Sequence, residues 1–268
     1  MTKNIKNDVP YIEIAFDIKD LKLFEKIKSV LRGGYLLIRP NQMSGRYVIK
    51  KKEILLKLIS LINGSMRTPK IEALHRLIDF INFKYNSTIP QLKIDLSPID
   101  HNSWLSGFIE ADGNFYCSWK KSKKSQLLDI IPINIIYYLR LSQRHFYTRR
   151  VDLTIKEDYI DIMINIGQAL NTPVLIIHRK RNSYEENAYL IRSDTLESKE
   201  KVFNYLNNYP LFGYKYFAFF YLNNIHNLIR NSKHKNLEGR IEFIRYSNLV
   251  KYNPEIHTWE HLHRFYTK

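Results

Sequence analysis

The stretch Trp104–Phe115, WLSGFIEADGNF, decides how the rest of the chain is read. Leu105, Phe108, Ile109 and Asp112 recur at i, i+3, i+4 and i+7, the spacing of one helix face. Ser103, Gly107 and Ala111 lie four apart and form a stripe of small side chains, over which a second helix can approach closely. Gly113 reads as the residue just past the helix end. Two acids, Glu110 and Asp112, are the anomaly, because they sit at the negative end of the helix macrodipole, where cations are favoured. Two such helices side by side would bring two carboxylates together at their bases. A divalent cation between them would supply the compensating charge.

The chain has 268 residues, 44% of them hydrophobic, enough for one large domain or two modest ones with real cores. Lys and Arg number 42 against 26 Asp and Glu, a net charge of +16 that calls for a polyanionic partner, nucleic acid first. A single cysteine excludes an internal disulfide framework and a cysteine-based zinc site. The nine histidines show no ligand spacing, and HTWEHLHRF at 257–265 reads as amphipathic helix surface. The N-terminus MTKNIKNDVP carries no signal peptide or Arg-rich presequence, and no long apolar run follows. The expectation is a soluble protein with no membrane partner, with organellar synthesis left open.

The rest of the chain alternates strands and helices twice. YIEIAF is a strand, KDLKLFEKIKSVL a helix, and two short strands flank NQMSG before the helices KEILLKLISLIN and TPKIEALHRLIDFINFKYN. STIPQLKIDLSPID has two prolines and no helical period, as a linker does. Beyond it the motif helix leads to strands GNFYCSWK and IIYYLRLSQR, helix YIDIMINIGQAL, strands VLIIHRK and AYLIRS, and helices SKEKVFNYLNN and YFAFFYLNNIHNLI. Lys70 and Lys215 each follow a helix and turn and precede the last long helix of a half, which sets the repeat register. In that register the counterpart of Gln143 is Phe16, beside Asp17, and a first-half partner for Asp112 would fall before Met1. The first motif helix and its following strand are therefore expected to be missing from the chain. The predicted fold is α+β, two pseudo-repeated halves, each an antiparallel saddle-like sheet backed by helices. Residues 1–86 would form a truncated first half, 87–99 a linker and 100–268 the second half.

Alternation also assigns faces. Phe115, Cys117 and Trp119 point to a core, whereas Asn114, Tyr116, Ser118 and Lys120 line the other face. Tyr138, Arg140, Ser142 and Arg144 continue that face on the next strand, and the loops KKSKK and HRKRNS, the latter holding Arg179, extend its basic surface. Such a face suits a DNA major groove, where Arg, Asn and Gln read base edges and Lys neutralises phosphate.

WLSGFIEADGNF resembles the signature helix of the LAGLIDADG homing endonucleases and the related intron maturases, with Leu105 to Gly113 matching all nine motif positions. The order of elements is similar from about Tyr11 to about Tyr252. The resemblance implies that Asp112 is the metal-binding acid, with Mg2+ as the divalent cation, and that Glu110 has a structural or capping role. It implies Gln143 as the polar residue at the end of the second strand. Lys215, with Lys70 as its first-half equivalent, would be the basic residue that organises water around the scissile phosphate. On the residues alone, Lys215 could also snorkel from a helix start, and Gln143 could satisfy a strand edge. The implied function is a site-specific, metal-dependent DNA endonuclease of intron homing, acting on duplex DNA at an intron insertion site. The alternatives are a maturase that holds group I intron RNA and a structural RNA-binding protein without cleavage. An upstream segment would supply the first motif, and synthesis in a mitochondrion or other organelle is expected.

Overall fold

Side-chain alternation in Ile12–Asp17 (β1) turns Ile12, Ile14 and Phe16 to one face, and the strand pairs accordingly. The computed structural model describes residues 10–121, 132–144, 146–148, 156–180, 185–251 and 259–263. The chain divides into two units, Met1–Pro98 with Phe146–Ile162, and Ile99–His145 with Met163–Lys268.

In the first unit β1 is followed by α1 (Leu21–Leu31), β2 (Tyr35–Ile38), β3 (Ser44–Ile49), α2 (Lys52–Ile62) and α3 (Ile71–Tyr85). The strands form an antiparallel sheet in the order β1-β3-β2. Phe16 opposes Gly45, where an added Cβ would come within 2.5 Å of the Phe16 ring. Phe16 stacks on Phe24 at 4.1 Å, and Tyr47, Leu55, Ile59, Ile78 and Ile81 complete a buried core. Residues 87–96 form neither helix nor strand, yet side chains strap them down. The Asn82 amide bonds both the N–H and the carbonyl of Ile89, and Asn63 does the same for Leu92 N–H and Pro90 carbonyl. Arg67, buried, pairs with Asp95 at 2.7 Å.

The second unit begins with α4 (Trp104–Asp112), β4 (Gly113–Lys121) and β5 (Pro132–Arg144). Short strands β6 (Phe146–Thr148) and β7 (Lys156–Asp158) pair with each other and fall within the first unit. Then come α5 (Ile160–Ala169), β8 (Val174–Lys180), β9 (Glu185–Arg192), α6 (Leu196–Asn208), α7 (Lys215–Arg230) and α8 (Leu237–Leu249). The sheet is antiparallel with order β4-β5-β9-β8. Phe115, Cys117, Tyr137, Leu139, Leu141, Tyr189 and Ile191 are buried on its helix-facing side. There Phe115 meets Phe219, Phe219 meets Phe203, and Phe203 meets His226. The fold is thus α+β, with antiparallel sheets backed by helices.

Both units share one internal order. β1-β3-β2 matches β5-β9-β8, and α1, α2 and α3 match α5, α6 and α7 in sequence order. Among the described residues, α4 and β4 have no counterpart in the first unit, and β1 has no strand on its outer edge.

Gly113 stands just past the end of α4, as its position suggested; its backbone is extended (φ −75°, ψ 153°) and it opens β4 directly. Close approach explains the glycine, since an added Cβ would lie 2.6 Å from the Ile109 carbonyl oxygen. Of the 257–265 stretch, residues 259–263 are described: Glu260–Leu262 form a 3-10 turn with Leu262 buried and His261 stacked on Tyr216 at 3.5 Å, and the rest lies outside the described residues.

Candidate functional site

The motif helix α4 is held along its length by the α6–α7 connection. Tyr205 donates its hydroxyl to the Asn102 carbonyl and accepts from the Ser106 amide, and burial raises its pKa above the usual tyrosine value. Ser106 donates its hydroxyl to the Tyr209 carbonyl. Leu105 and Ile109 are fully buried against the unit. Side chains on two elements distant in sequence therefore set where the helix ends.

Lys215 answers the charge question raised by the two acids. Its ammonium lies 3.3, 2.6 and 3.2 Å from the carbonyl oxygens of Ile109, Glu110 and Ala111. An ammonium has three N–H donors, and here three carbonyls of the last helical turn receive them. A buried cation at this end also offsets the negative pole of the helix. This cap on the end of α4 is a contact that neither sequence reading of Lys215 contained. Glu110 binds the same loop, its carboxylate accepting from the Phe212 amide at 2.7 Å.

Asp112, the last helical residue, is exposed. Gln143 Nε2 donates to its Oδ2 at 2.6 Å. The carboxylate can only accept, so the NH2 end of the amide must face it. One carboxylate oxygen is thereby tied while the head as a whole stays open to solvent. Ser103, Gly107 and Ala111 are likewise exposed, and no atom lies within 4 Å of an added Cβ at Gly107. Lys70 is exposed at the N-cap of α3 in the first unit, and Phe16 is buried there.

The face of the second sheet away from the helices carries the other expected residues. Asn114 pairs with Arg140 and Tyr116 with Tyr138, whose rings stack at 4.9 Å. Arg140 in turn opposes Arg192 on β9, whose guanidinium lies 5.1 Å from the Tyr138 ring centre. Ser118 is half-buried and Lys120 exposed, on either side of a bulge in the β4–β5 ladder. Arg179 crosses from β8 to donate to Ser142, and Glu186 lies 3.5 Å from both Arg179 and Arg144. Most of the KKSKK loop and the tip of HRKRNS lie outside the described residues. Arg192 and Glu186 were not singled out from the sequence. The register could have found Arg192 and Glu186, since both share the face of Arg140 and Arg144.

A hard cation takes oxygen ligands, and Mg2+ characteristically keeps waters while using one or two carboxylates and substrate phosphates. Asp112 fits that partial donor set. Among the described residues no group of three His, Cys, Asp or Glu could form a cage made of protein alone. No helix among them is long and apolar enough to cross a membrane.

Residues 105–226 match the family model described as LAGLIDADG endonuclease. Over that stretch the chain is similar to the LAGLIDADG endonucleases. A relative from Saccharomyces cerevisiae, intron-encoded DNA endonuclease aI3, is 27% identical over 96% of the chain, which spans 66% of that protein. Intron-encoded RNA maturase bI4 of the same yeast is 34% identical over 46% of the chain, covering 18% of its own length. Among solved structures, the LAGLIDADG homing endonuclease I-LtrWI bound to target DNA matches 91% of the chain and 87% of its own, with a TM-score of 0.62 at 18% identity. I-SmaMI, bound to an uncleaved DNA target with calcium ions, matches 89% and 86%, with a TM-score of 0.58 at 19% identity. These likenesses carry the two-part LAGLIDADG fold over both units.

Proposed function

We propose that this chain is an intron-encoded, site-specific LAGLIDADG DNA endonuclease that reads duplex DNA at an intron insertion site. The observation that carries this reading is Asp112: an exposed carboxylate, steadied by Gln143, at the end of a helix capped by Lys215. The basic open face of the adjoining sheet supports a duplex partner, as do the DNA-bound solved relatives. Residues 1–86 and 100–268 would act as the two halves, joined by 87–99.

Asp112, with phosphate oxygens of the substrate, would hold a divalent cation, with Mg2+ as the physiological choice. When bound, the cation would polarise the phosphodiester and lower the pKa of a coordinated water. The chain's own residues have separate tasks. Gln143 fixes the carboxylate rotamer by its amide N–H, and Lys215 fixes the carbonyls that end the helix. Arg140, Arg144, Arg192 and Asn114 present donors to bases and phosphates, and exposed Lys70 adds charge from the first unit.

A second LAGLIDADG-type helix and strand, supplied by a segment outside these 268 residues, would complete the site. The exposed Ser103, Gly107 and Ala111 stripe supports it, as does the outer edge of β1, which pairs with no strand among the described residues. The intron-encoded relatives support synthesis in a mitochondrion or other organelle. The maturase reading stays in play through one observation, the 34% identity to an RNA maturase.

The deciding experiment is a filter-binding comparison of the insertion-site duplex with the intron RNA. Duplex preference, with affinity falling about 10³–10⁵-fold between 50 and 200 mM salt for roughly 6–10 phosphate contacts, is the expected result. Preference for the intron RNA would transfer the assignment to the maturase, and a flat salt response would remove both.

A further inference from the structure

The open face of the second sheet is not uniformly basic. At its β8–β9 end Glu186 is set between two arginines, Oε2 3.5 Å from Arg144 Nε and Oε1 3.5 Å from Arg179 Nη1. Arg179 is drawn across the sheet, its other nitrogen donating to Ser142, and only a fifth of its side chain is exposed. Arg144 is 70% exposed. Three strands thus contribute to one acid-centred group: β5 with Arg144 and Ser142, β9 with Glu186, and β8 with Arg179.

An acid at this place is a poor neighbour for phosphate, so the row is unsuited to holding the DNA backbone. It suits base edges, where guanine N7 and O6 accept from arginine and cytosine N4 donates to a carboxylate. Both contacts from Glu186 exceed the roughly 2.7–3.2 Å of a full hydrogen bond, so its oxygens retain acceptor capacity. The same carboxylate holds the two guanidiniums at a defined separation, which reduces the freedom lost on binding.

We propose that Arg144, Glu186 and Arg179 form a base-reading cluster for a G·C pair in the major groove. Arg144 donates to guanine, and Glu186 accepts from the N4 amine of cytosine in the same or the adjoining pair. Arg179, pinned by Ser142, holds Glu186 in place. This rests on the duplex-DNA reading above and adds to it the base chemistry that one end of the sheet selects.

Selection from a randomised duplex library, without divalent cation, tests the cluster in the 268-residue chain and in Glu186→Gln. The native chain should enrich G·C at one or two adjacent positions. Glu186→Gln should relax that preference by about tenfold there and leave the other positions unaltered, while tightening binding to the unselected pool because a negative charge is gone. Arg144→Gln, at an exposed position, should relax the same or the neighbouring position and weaken binding. A preference retained in both variants, or lost equally at every position, overturns the cluster while leaving duplex recognition standing. Failure of the native chain to bind duplex at all overturns the cluster together with the reading on which it rests.

Discussion

Gln143 and Asp112, 31 residues apart, meet at 2.6 Å where β5 passes the end of α4. The amide fixes one oxygen of the acid and leaves the carboxylate exposed, a geometry suited to a cation that also needs phosphate and water. Asp112→Asn keeps the shape and removes the charge. Nicking of the insertion-site duplex in Mg2+ should fall by about 10²–10³-fold. Binding should stay within about tenfold, because the acid serves charge development rather than recognition. A gel assay beside a binding titration checks both, and equal losses in the two would remove Asp112 from the chemistry.

Lys215 leads to a different expectation. Its ammonium occupies three carbonyls and is buried, so Lys215→Met strands those acceptors and strips the cation from the helix end. Charged hydrogen bonds and the dipole together suggest a loss of about 2 kcal/mol in urea unfolding. Lys215→Arg should recover part of it. A lysine working only on substrate water would give a variant of native stability with cleavage alone impaired.

How much of this was legible beforehand follows from where the signals lie. The motif helix and the faces of β4 and β5 were readable because period agrees with packing, whereas Gln143 entered only through the family resemblance and its contact with Asp112 needed the structure. α8 was not readable. Its buried line is Gly239, Phe243 and Ser247, while Leu237 and Ile241 are exposed, so its apolar pattern points away from the core. Lys215 was ambiguous for a related reason: a chain position cannot say whether an ammonium meets solvent or three carbonyls. Glu186 escaped because its meaning depends on which residues lie opposite it, which only strand register supplies.

His226 makes the second unit sensitive to acid. It is buried on α7, bonded to the Tyr137 hydroxyl at 3.0 Å and packed on Phe203. Burial lowers its pKa; Glu200 opposes that shift, while Arg230 and Lys199 reinforce it. In the unfolded chain the imidazole takes up a proton near pH 6.5, whereas the folded site resists it. Stability is therefore intact above that pH and declines as pH falls towards the lowered folded value. Urea unfolding at about pH 5 and about pH 7.5 should show the difference. His226→Phe should remove this group's share of the slope, and an unchanged slope would assign the acid sensitivity to other groups.

The last prediction concerns Gly107. A glycine inside a helix costs about 0.8–1.0 kcal/mol relative to alanine, and nothing within 4 Å would obstruct the added methyl. In the 268-residue chain alone, Gly107→Ala should therefore raise stability by about that amount. The same stripe is where a second LAGLIDADG helix would have to approach backbone to backbone, and there bulk is penalised. Gly107→Leu should leave the isolated chain folded with duplex binding intact. When a segment carrying a second motif is joined upstream, the native stripe should permit double-strand cleavage and the leucine variant should prevent it. Equal cleavage by the two would mean that no helix seats on Gly107, and efficient double-strand cleavage by the 268 residues alone would mean that no second motif is needed.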